Sequence, residues 1–372
     1  MARLGHERLG EPLKVRGLDV GYSLWAARKT TRWTLQRRLY VKDPWAILFE
    51  AVYRSKLAKR KVHEALSYLE QAEDYFNAGS QGWRLNVKPV LLYYSMLNLA
   101  KCLLIARNPA LDMAQARHGL SAAPQKTAIL ADLISVKSSL RYVNVFGELM
   151  KTLEGGPGPT FNDLQVRHLL PQILPAHRLW TYACGKTEKF LAVADIQGRV
   201  DQSQHHTWLR LTLNAGETKH ITPSISTLVQ RSHPPGEWRQ VRPKADDNDT
   251  VVLEQAHCTV YQHRPLDCIH DLFQKLRPTL WCAVTSVYPY RNYYLFLDQG
   301  LGRKRLPQWA AMYALFYYLS DLTRYRPQHF DRFLESKYGP QIESILDECP
   351  RQFLYLMASE LLQREVAPAA LA

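Results

Sequence analysis

The chain has 372 residues, enough for two or three domains, and its 46% hydrophobic and 11% aromatic content excludes an intrinsically disordered protein. The net charge is +14, and residues 1–61 hold fifteen lysines and arginines against five aspartates and glutamates, so the positive charge is concentrated at one end. Six scattered cysteines without a CxxC pair exclude a disulfide framework, and no run of eighteen apolar residues indicates a membrane span, so we expect a cytoplasmic protein that does not enter a membrane.

Residues 1–42 are predicted to be a basic N-terminal arm in which cationic and aromatic side chains alternate. This arrangement suits contacts with nucleic-acid phosphates beside aromatic surfaces on which bases stack, although it does not distinguish RNA from DNA. An acidic protein partner, or a solvated face that keeps the protein soluble, explains the same charge. The residues predicted to bind nucleic acid here are Arg28, Lys29, Arg32, Arg37, Arg38 and Lys42, which lie among Trp25, Trp33 and Tyr40.

Residues 43–154 are predicted to form a helical domain. Apolar residues over 57–76 recur at steps of three and four, which predicts an amphipathic helix. Residues 90–106 carry three polar side chains, at every third position, on an otherwise apolar helix that neighbours must cover on most sides. That length suits a core helix better than a membrane span. The two segments are therefore expected to make an antiparallel helical hairpin.

A break rich in glycine and proline at 155–159 separates this domain from segments of a different character. The following segments are β-rich and partly alternating, so residues 155–300 are predicted to be a β-rich insertion. Helical patterns return over 301–372, a segment expected to pack back on the helical domain. The predicted fold class is therefore mainly α, with a helical bundle and a small inserted antiparallel β-rich region (α+β).

Two blocks of sequence carry a resemblance to known families. The helix KVHEALSYLEQAEDYF (61–76), the helix YYSMLNLAKCLL (93–104) and a following loop that ends in His118 and Gly119 resemble the helical HEPN domain. With the later block LSDLTRYRP (319–327), the whole chain is similar to the YaaC-like family of bacterial proteins. The resemblance implies a HEPN-like helical bundle more firmly than an activity. HEPN-like domains recur in bacterial toxins and antiviral defence systems, both as ribonucleases and as non-catalytic binding modules.

Arg324 and His329 match the Arg-x4–6-His pattern of HEPN ribonucleases. In that chemistry an arginine steadies the strained phosphate and a histidine moves a proton of the 2′-OH or of the leaving group, usually across a homodimer. The resemblance thus implies Arg324 and His329 as catalytic residues. The alternative is structural, because Arg324 and Arg326 would lie at the C-terminus of the preceding helix, where cations interact favourably with the helix dipole.

The loop after the buried helix is a second candidate site. His118, with Arg117 beside it, is a candidate contact for phosphate or substrate, and Arg326 belongs to the same candidate set. The structural alternative gives His118 a hydrogen bond within the loop and gives Gly119 a turn conformation that other residues resist. Separately, the tyrosine-rich segment 287–294 offers rings that stack on bases around Arg291, while an edge strand with aromatic cross-strand pairs explains it equally well.

No metal or cofactor is expected. Glycine loops of the GxGxxG or GxxxxGK[ST] form are absent, so a nucleotide-phosphate loop of standard form is excluded. The candidate metal-ligand groups lack a zinc-like spacing with a matching second half: His205 and His206, His257 and Cys258, and Cys268 and His270.

These features together favour a non-catalytic nucleic-acid-binding or partner-binding component of a bacterial antiviral defence system, whose basic end contacts phosphates. Two alternatives stay open. One is a metal-independent ribonuclease that uses Arg324 and His329, as a homodimer. The other is a scaffold subunit whose basic end docks on an acidic protein partner.

Overall fold

The computed structural model describes residues 5–15, 17–23, 25, 38–82, 84–124, 129–136, 142–155, 163–214, 216, 237–242, 250–287, 290–297, 301 and 304–369. The α-helices in these ranges are α1 (Pro44–Tyr53), α2 (Lys59–Gln81), α3 (Lys88–Arg107), α4 (Val145–Glu154), α5 (Val166–Leu169), α6 (His177–Cys184), α7 (Pro265–Leu276), α8 (Gln308–Tyr325), α9 (Pro327–Glu335) and α10 (Gly339–Leu362). The strands are β1 (Gly5–His6), β2 (Glu11–Pro12), β3 (Lys14–Val15), β4 (Leu18–Asp19), β5 (Leu39–Val41), β6 (Leu120–Ala123), β7 (Leu133–Val136), β8 (Leu164–Gln165), β9 (Phe190–Asp201), β10 (His206–Asn214), β11 (Trp238–Arg242), β12 (Thr250–Gln255), β13 (Thr259–Val260), β14 (Leu280–Val284), β15 (Arg291–Phe296) and β16 (Val366–Pro368).

The chain divides into two compact units, and neither is continuous in sequence. The sheet unit comprises Met1–Leu39 and Thr187–Gly302, and the helical unit comprises Tyr40–Lys186 and Arg303–Ala372. We predicted a division of the chain into segments 1–42, 43–154, 155–300 and 301–372. The two-unit grouping does not test that division, which stays a prediction.

The sheet unit is built on a mixed sheet that has nine strands among the described residues. The strand order is β1-β11-β12-β10-β9-β15-β14, and β13 also pairs with β10 and β2 with β9. Among the described strand pairs of this sheet, β1 with β11 is parallel and the others are antiparallel. Successive side chains of a strand point to opposite faces, so Leu209, Leu211 and Leu213 of β10 share one face. There they pack in one core with Ile269 and Phe273 of α7.

The N-terminal residues that the structure describes are part of this sheet unit. β1 and β2 pair with strands more than 180 residues later in the sequence, and Leu13 and Val20 are buried in the same core as α7. Gly10 lies so close to the ring of Trp208 that an added Cβ would come within 2.3 Å of it. Residues 5–15 and 17–23 therefore lie packed against the sheet.

The helical unit is organised around α3, as the sequence predicts. Helix α3 packs against α2, α4, α8 and α10, and its polar stripe meets α2. The Ser95 hydroxyl donates to the Ala72 carbonyl oxygen at 2.7 Å, and the Lys101 ammonium lies 4.7 Å from the centre of the Tyr68 ring. Helix α3 is long and apolar enough to span a membrane by length and composition, but 72% of its most apolar window is buried, which is typical of a core helix of a soluble protein.

The predicted fold class is wrong. The part of the chain that the structure describes contains the nine-stranded mixed sheet, so the protein is α/β rather than mainly α with a small β-rich insertion. Two short strands of that sheet come from the N-terminal segment, and β6, β7 and β8 form a further small sheet within the helical unit. The sequence pattern understated these strands because short strands are stabilised by cross-strand partners, which a local pattern does not contain.

Candidate functional site

Two of the residues predicted to bind nucleic acid line the same cavity of the sheet unit. Arg38 and Arg291 both face a cavity of about 360 Å³. Lys42 is exposed in the helical unit, directly before the residue that caps α1. The other four predicted positions lie outside the described residues: Arg28, Lys29, Arg32 and Arg37.

The wall of the cavity is formed by the irregular part of β9. Leu213 of β10 pairs with Val193 whereas Thr212 pairs with Asp195, so Ala194 is an extra residue in β9. Such a bulge bends the strand and redirects its side chains, which is why bulges are frequent beside binding sites. Residues 192–196 therefore line the cavity together with the end of β10 and the start of β15.

Each arginine of the cavity lies beside an aromatic ring. Arg291 is only 4% exposed, and its guanidinium carbon lies 5.2 Å from the centre of the Trp25 ring. Its Nη1 also lies 3.9 Å from the Cys282 sulfur. The Arg38 guanidinium carbon lies 5.7 Å from the centre of the Tyr290 ring. A guanidinium over an aromatic face is attracted by the ring quadrupole, so the rings orient both cations.

Tyrosine and amide side chains complete the lining. Tyr22 is held edge-on by Phe273 and Tyr293, at centroid distances of 5.0 and 4.9 Å, so its position is fixed by packing. The side-chain Oδ1 of Asn214 accepts a hydrogen bond from the Gly216 backbone N–H at 2.8 Å. With Asn292, these side chains bring aromatic surfaces and hydrogen-bonding groups to a cavity that also holds two cations.

One carboxylate shares the cavity with the arginines. Asp195 is exposed, and its Oδ1 accepts the Ile196 backbone N–H at 2.8 Å while its Oδ2 accepts from Gln197 at 2.7 Å. These two bonds fix the orientation of the carboxylate. Nothing in the local sequence marks Asp195, Asn214 and Tyr22 as neighbours of Arg38 or Arg291, so they were not predicted as site residues.

The predicted catalytic pair lies at the junction of α8 and α9. The Nη1 of Arg324 donates to the Tyr94 hydroxyl at 3.2 Å, and its Nε donates to the Ser320 carbonyl oxygen at 3.2 Å. His329 is exposed in the first turn of α9, and its backbone N–H donates to the Arg326 carbonyl oxygen at 2.9 Å. The bond from Arg324 to a carbonyl near the C-terminal end of α8 is the kind of contact that the structural alternative predicts.

Arg326 belongs to a buried network of ion pairs. Its Nη1 lies 2.9 Å from Oδ2 of Asp132, which is 2% exposed, and its Nη2 lies 3.2 Å from Oδ2 of Asp321. The Tyr318 hydroxyl donates to the same Asp132 oxygen at 2.9 Å. Burial, reinforced by the nearby Asp132 charge, raises the pKa of Tyr318 well above its ordinary value. The network joins α8 to the segment before β7.

The loop that carries Arg117 and His118 is shaped by Gly119. Gly119 has φ +85°, and a Cβ there would meet the Asn144 side chain at 1.7 Å. The His118 ring lies 4.9 Å from the Tyr317 ring, and its Nδ1 accepts the Leu120 backbone N–H at 3.3 Å. This hydrogen bond and the left-handed glycine are the features that the structural alternative predicts for the loop.

Arg117 is exposed, with its guanidinium carbon 4.4 Å from the centre of the Tyr142 ring. Tyr317, the neighbour of His118, is largely buried, and burial raises its pKa to about 12. The charge of Asp321 raises that pKa further, whereas the charge of Arg324 lowers it. A role of Arg117 and His118 in binding stays a prediction.

Among the residues that the structure describes, no three histidine, cysteine, aspartate or glutamate side chains come together as a metal-binding group. That the chain works without a metal or cofactor stays a prediction.

Comparison with known proteins assigns the chain to one family. No curated protein and no solved structure matches it significantly. A family model described as YaaC-like Protein matches residues 24–361, nearly the whole chain. The match confirms the YaaC-like resemblance, whereas the HEPN-like character of the helices stays a prediction. The chain belongs to the YaaC-like family.

Proposed function

We propose that the protein is a non-catalytic nucleic-acid-binding component that acts in the bacterial cytoplasm. The observation that carries this proposal is the cavity of the sheet unit, which joins Arg38 and Arg291 with tyrosine rings. Arginine beside aromatic rings is the combination with which proteins hold phosphates and stack bases. The resemblance of the helices to HEPN modules supports a place in antiviral defence.

Electrostatics favour this ligand over an apolar small molecule. The protein carries a net charge of +14, which attracts polyanions over distances of several ångströms at physiological salt. The buried Arg291 adds a cation in a region of low dielectric constant, where its attraction for a phosphate is stronger than in water. Binding should therefore be fast and sensitive to salt.

A binding experiment tests the proposal. A fluorescently labelled single-stranded RNA or DNA of about 12 nucleotides, enough for one typical site, is titrated with the full chain. We expect the affinity to fall steeply as salt rises from about 50 to about 200 mM, because bound cations release counterions. We expect Arg38→Gln to weaken binding about tenfold, since a charge-assisted contact with phosphate is lost.

Arg242→Gln is the matched control, because Arg242 is an exposed arginine at the end of β11 in the same unit and outside the cavity. It removes the same charge and should weaken binding by less than Arg38→Gln. Binding that responds neither to salt nor to Arg38→Gln would refute the proposal.

The same reagents separate the two alternatives. Cleavage of the labelled RNA in the presence of EDTA, lost in His329→Ala, would replace the proposal with a metal-independent ribonuclease. Purified protein that carries an acidic protein partner, and that binds no oligonucleotide, would support the scaffold subunit instead.

A further inference from the structure

We propose that the cavity of the sheet unit takes one unpaired nucleotide, so that the ligand class is single-stranded nucleic acid and its mononucleotides rather than duplex. This inference rests on the proposed function, because it names the substrate class of the same site. Three features of the cavity carry it: its shape, its mixture of charges and the way its hydrogen-bonding groups are fixed.

The shape suits a single unit of a strand. Proteins read duplex DNA with a convex helix or ribbon inserted into a groove. The site here is concave, at about 360 Å³, near the lower end of the range of cavities that hold small ligands. Bases of a duplex are stacked and paired inside it, so they enter such a cavity only after the energetic cost of unstacking. An unpaired nucleotide enters without that cost.

The charges suit a ligand that is anionic at one group and a hydrogen-bond donor at another. Arg38 and Arg291 attract a phosphate, whereas Asp195 repels it. A carboxylate accepts hydrogen bonds and donates none, so it is matched by a ligand that donates N–H or O–H groups. Cytosine, adenine and guanine offer an exocyclic amino group, whereas uracil and thymine offer one ring N–H between two carbonyl oxygens that the carboxylate repels. A nucleotide whose base carries an amino group would place its phosphate beside the two arginines and its amino group beside the Asp195 carboxylate.

The groups that would read the base are held in place before a ligand binds. Hydrogen bonds from Ile196 and Gln197 fix the Asp195 carboxylate. The side-chain Oδ1 of Asn214 accepts a hydrogen bond from the Gly216 N–H. That bond turns the Asn214 amide so that its NH₂ group remains the donor for a ligand. A fixed acceptor and a fixed donor discriminate between bases because a wrong base leaves them unpaired.

Isothermal titration of the full chain with four ribonucleoside monophosphates and with inorganic phosphate tests the inference. We expect CMP, AMP and GMP to bind about tenfold more tightly than UMP, the discrimination typical of a matched hydrogen-bonding pair. Inorganic phosphate should bind more weakly than all four. In competition with the labelled oligonucleotide, unlabelled single strands of RNA or DNA should displace it at least tenfold better than a duplex of the same length.

Asp195→Asn should abolish the preference against UMP and retain binding, because it replaces the acceptor with an amide of the same shape. Asp201→Asn is the matched control: it is the same substitution at the C-terminal end of β9, where Asp201 accepts hydrogen bonds from Ser203 and Gln204 in a turn. It should leave the preference intact. Arg38→Gln should weaken all four monophosphates.

Equal binding of duplex and single strand, or monophosphate binding that neither Asp195→Asn nor Arg38→Gln alters, would overturn the inference. Oligonucleotides that bind with the expected salt dependence while no monophosphate binds would also overturn it, but would leave the proposed function standing. Monophosphates that bind while no oligonucleotide does would remove the proposed function and keep the nucleotide cavity.

Discussion

Arg291 of the sheet unit and Arg326 of the helical unit are both largely buried, yet their surroundings differ. Arg326 closes a network in which two carboxylates, on Asp132 and Asp321, lie within 3.2 Å of its guanidinium. Arg291 lies against the Trp25 ring and lines a cavity. The contrast teaches that burial of an arginine does not reveal its role. The neighbours of Arg326 are those of a structural ion pair, whereas a role of Arg291 in ligand binding stays a proposal.

The largest effect is expected from breaking the network of the helical unit. Arg326→Ala leaves the Asp132 carboxylate buried without its cation, which should lower the free energy of unfolding by about 3 kcal/mol. Urea unfolding followed by circular dichroism measures this loss. Oligonucleotide binding at temperatures where the variant is folded should not change.

Arg324→Ala is the control for that experiment, because Arg324 is half-buried and its bonds go to a tyrosine hydroxyl and a backbone carbonyl. Its cost should be about 1 kcal/mol. If Arg326→Ala cost no more than Arg324→Ala, or if it weakened oligonucleotide binding directly, the assignment of Arg326 to stability would be wrong.

A smaller loss of stability is expected at the loop that carries His118. Gly119→Ala places a Cβ against the side chain of Asn144, whose Oδ1 accepts the Gly147 N–H at 2.9 Å as the cap of α4. Strain in the left-handed region and the disturbed cap together should cost about 2 kcal/mol, measured by thermal or urea unfolding.

Gly155 provides the matched comparison for that substitution. It has a similar φ of +74°, but nothing lies within 4 Å of its added Cβ, so Gly155→Ala should cost only about 1 kcal/mol. Equal costs at Gly119 and Gly155 would show that contact with Asn144 does not constrain the loop.

The smallest change in stability is expected at the cavity. Arg291→Lys keeps the charge and loses the planar group that lies over Trp25, so the free energy of unfolding should fall by less than about 1 kcal/mol. Oligonucleotide affinity should fall severalfold, because an ammonium lacks the fork of donors that matches a phosphate. A large loss of stability with unchanged affinity would reverse the contrast between Arg291 and Arg326.

The helical hairpin was predictable because its signal is local. The period of apolar residues and the spacing of Ser95, Asn98 and Lys101 lie within single helices, and the structure confirms α2, α3 and their antiparallel packing. The start of α1 is also marked locally, by the cap Asp43 and by Pro44 as the first residue. The motifs of these helices, together with the block at 319–327, carried the resemblance to the YaaC-like family, which is confirmed.

The sheet and the cavity were not predictable to the same extent, because both depend on partners that are remote in sequence. Nothing near Gly5 indicates that it pairs with Val241, so the place of the N-terminal segment in the sheet was not predicted. Arg38 and Arg291 were each predicted to bind nucleic acid for separate reasons, and only the fold brings them to one cavity. The bulge at Ala194 has no sequence signal of its own.

The alternation of the two units along the sequence has a consequence for biosynthesis. Val200 must leave the ribosome before Glu11 has a partner, and Val241 must follow before Gly5 has one. While the intervening helices are being translated, β1 and β2 belong to a nascent chain whose partner strands have not yet been made. Their backbone N–H and C=O groups are unpaired during this time and are prone to pair with other chains. Ribosome stalling before β9 should therefore yield the species most dependent on chaperones.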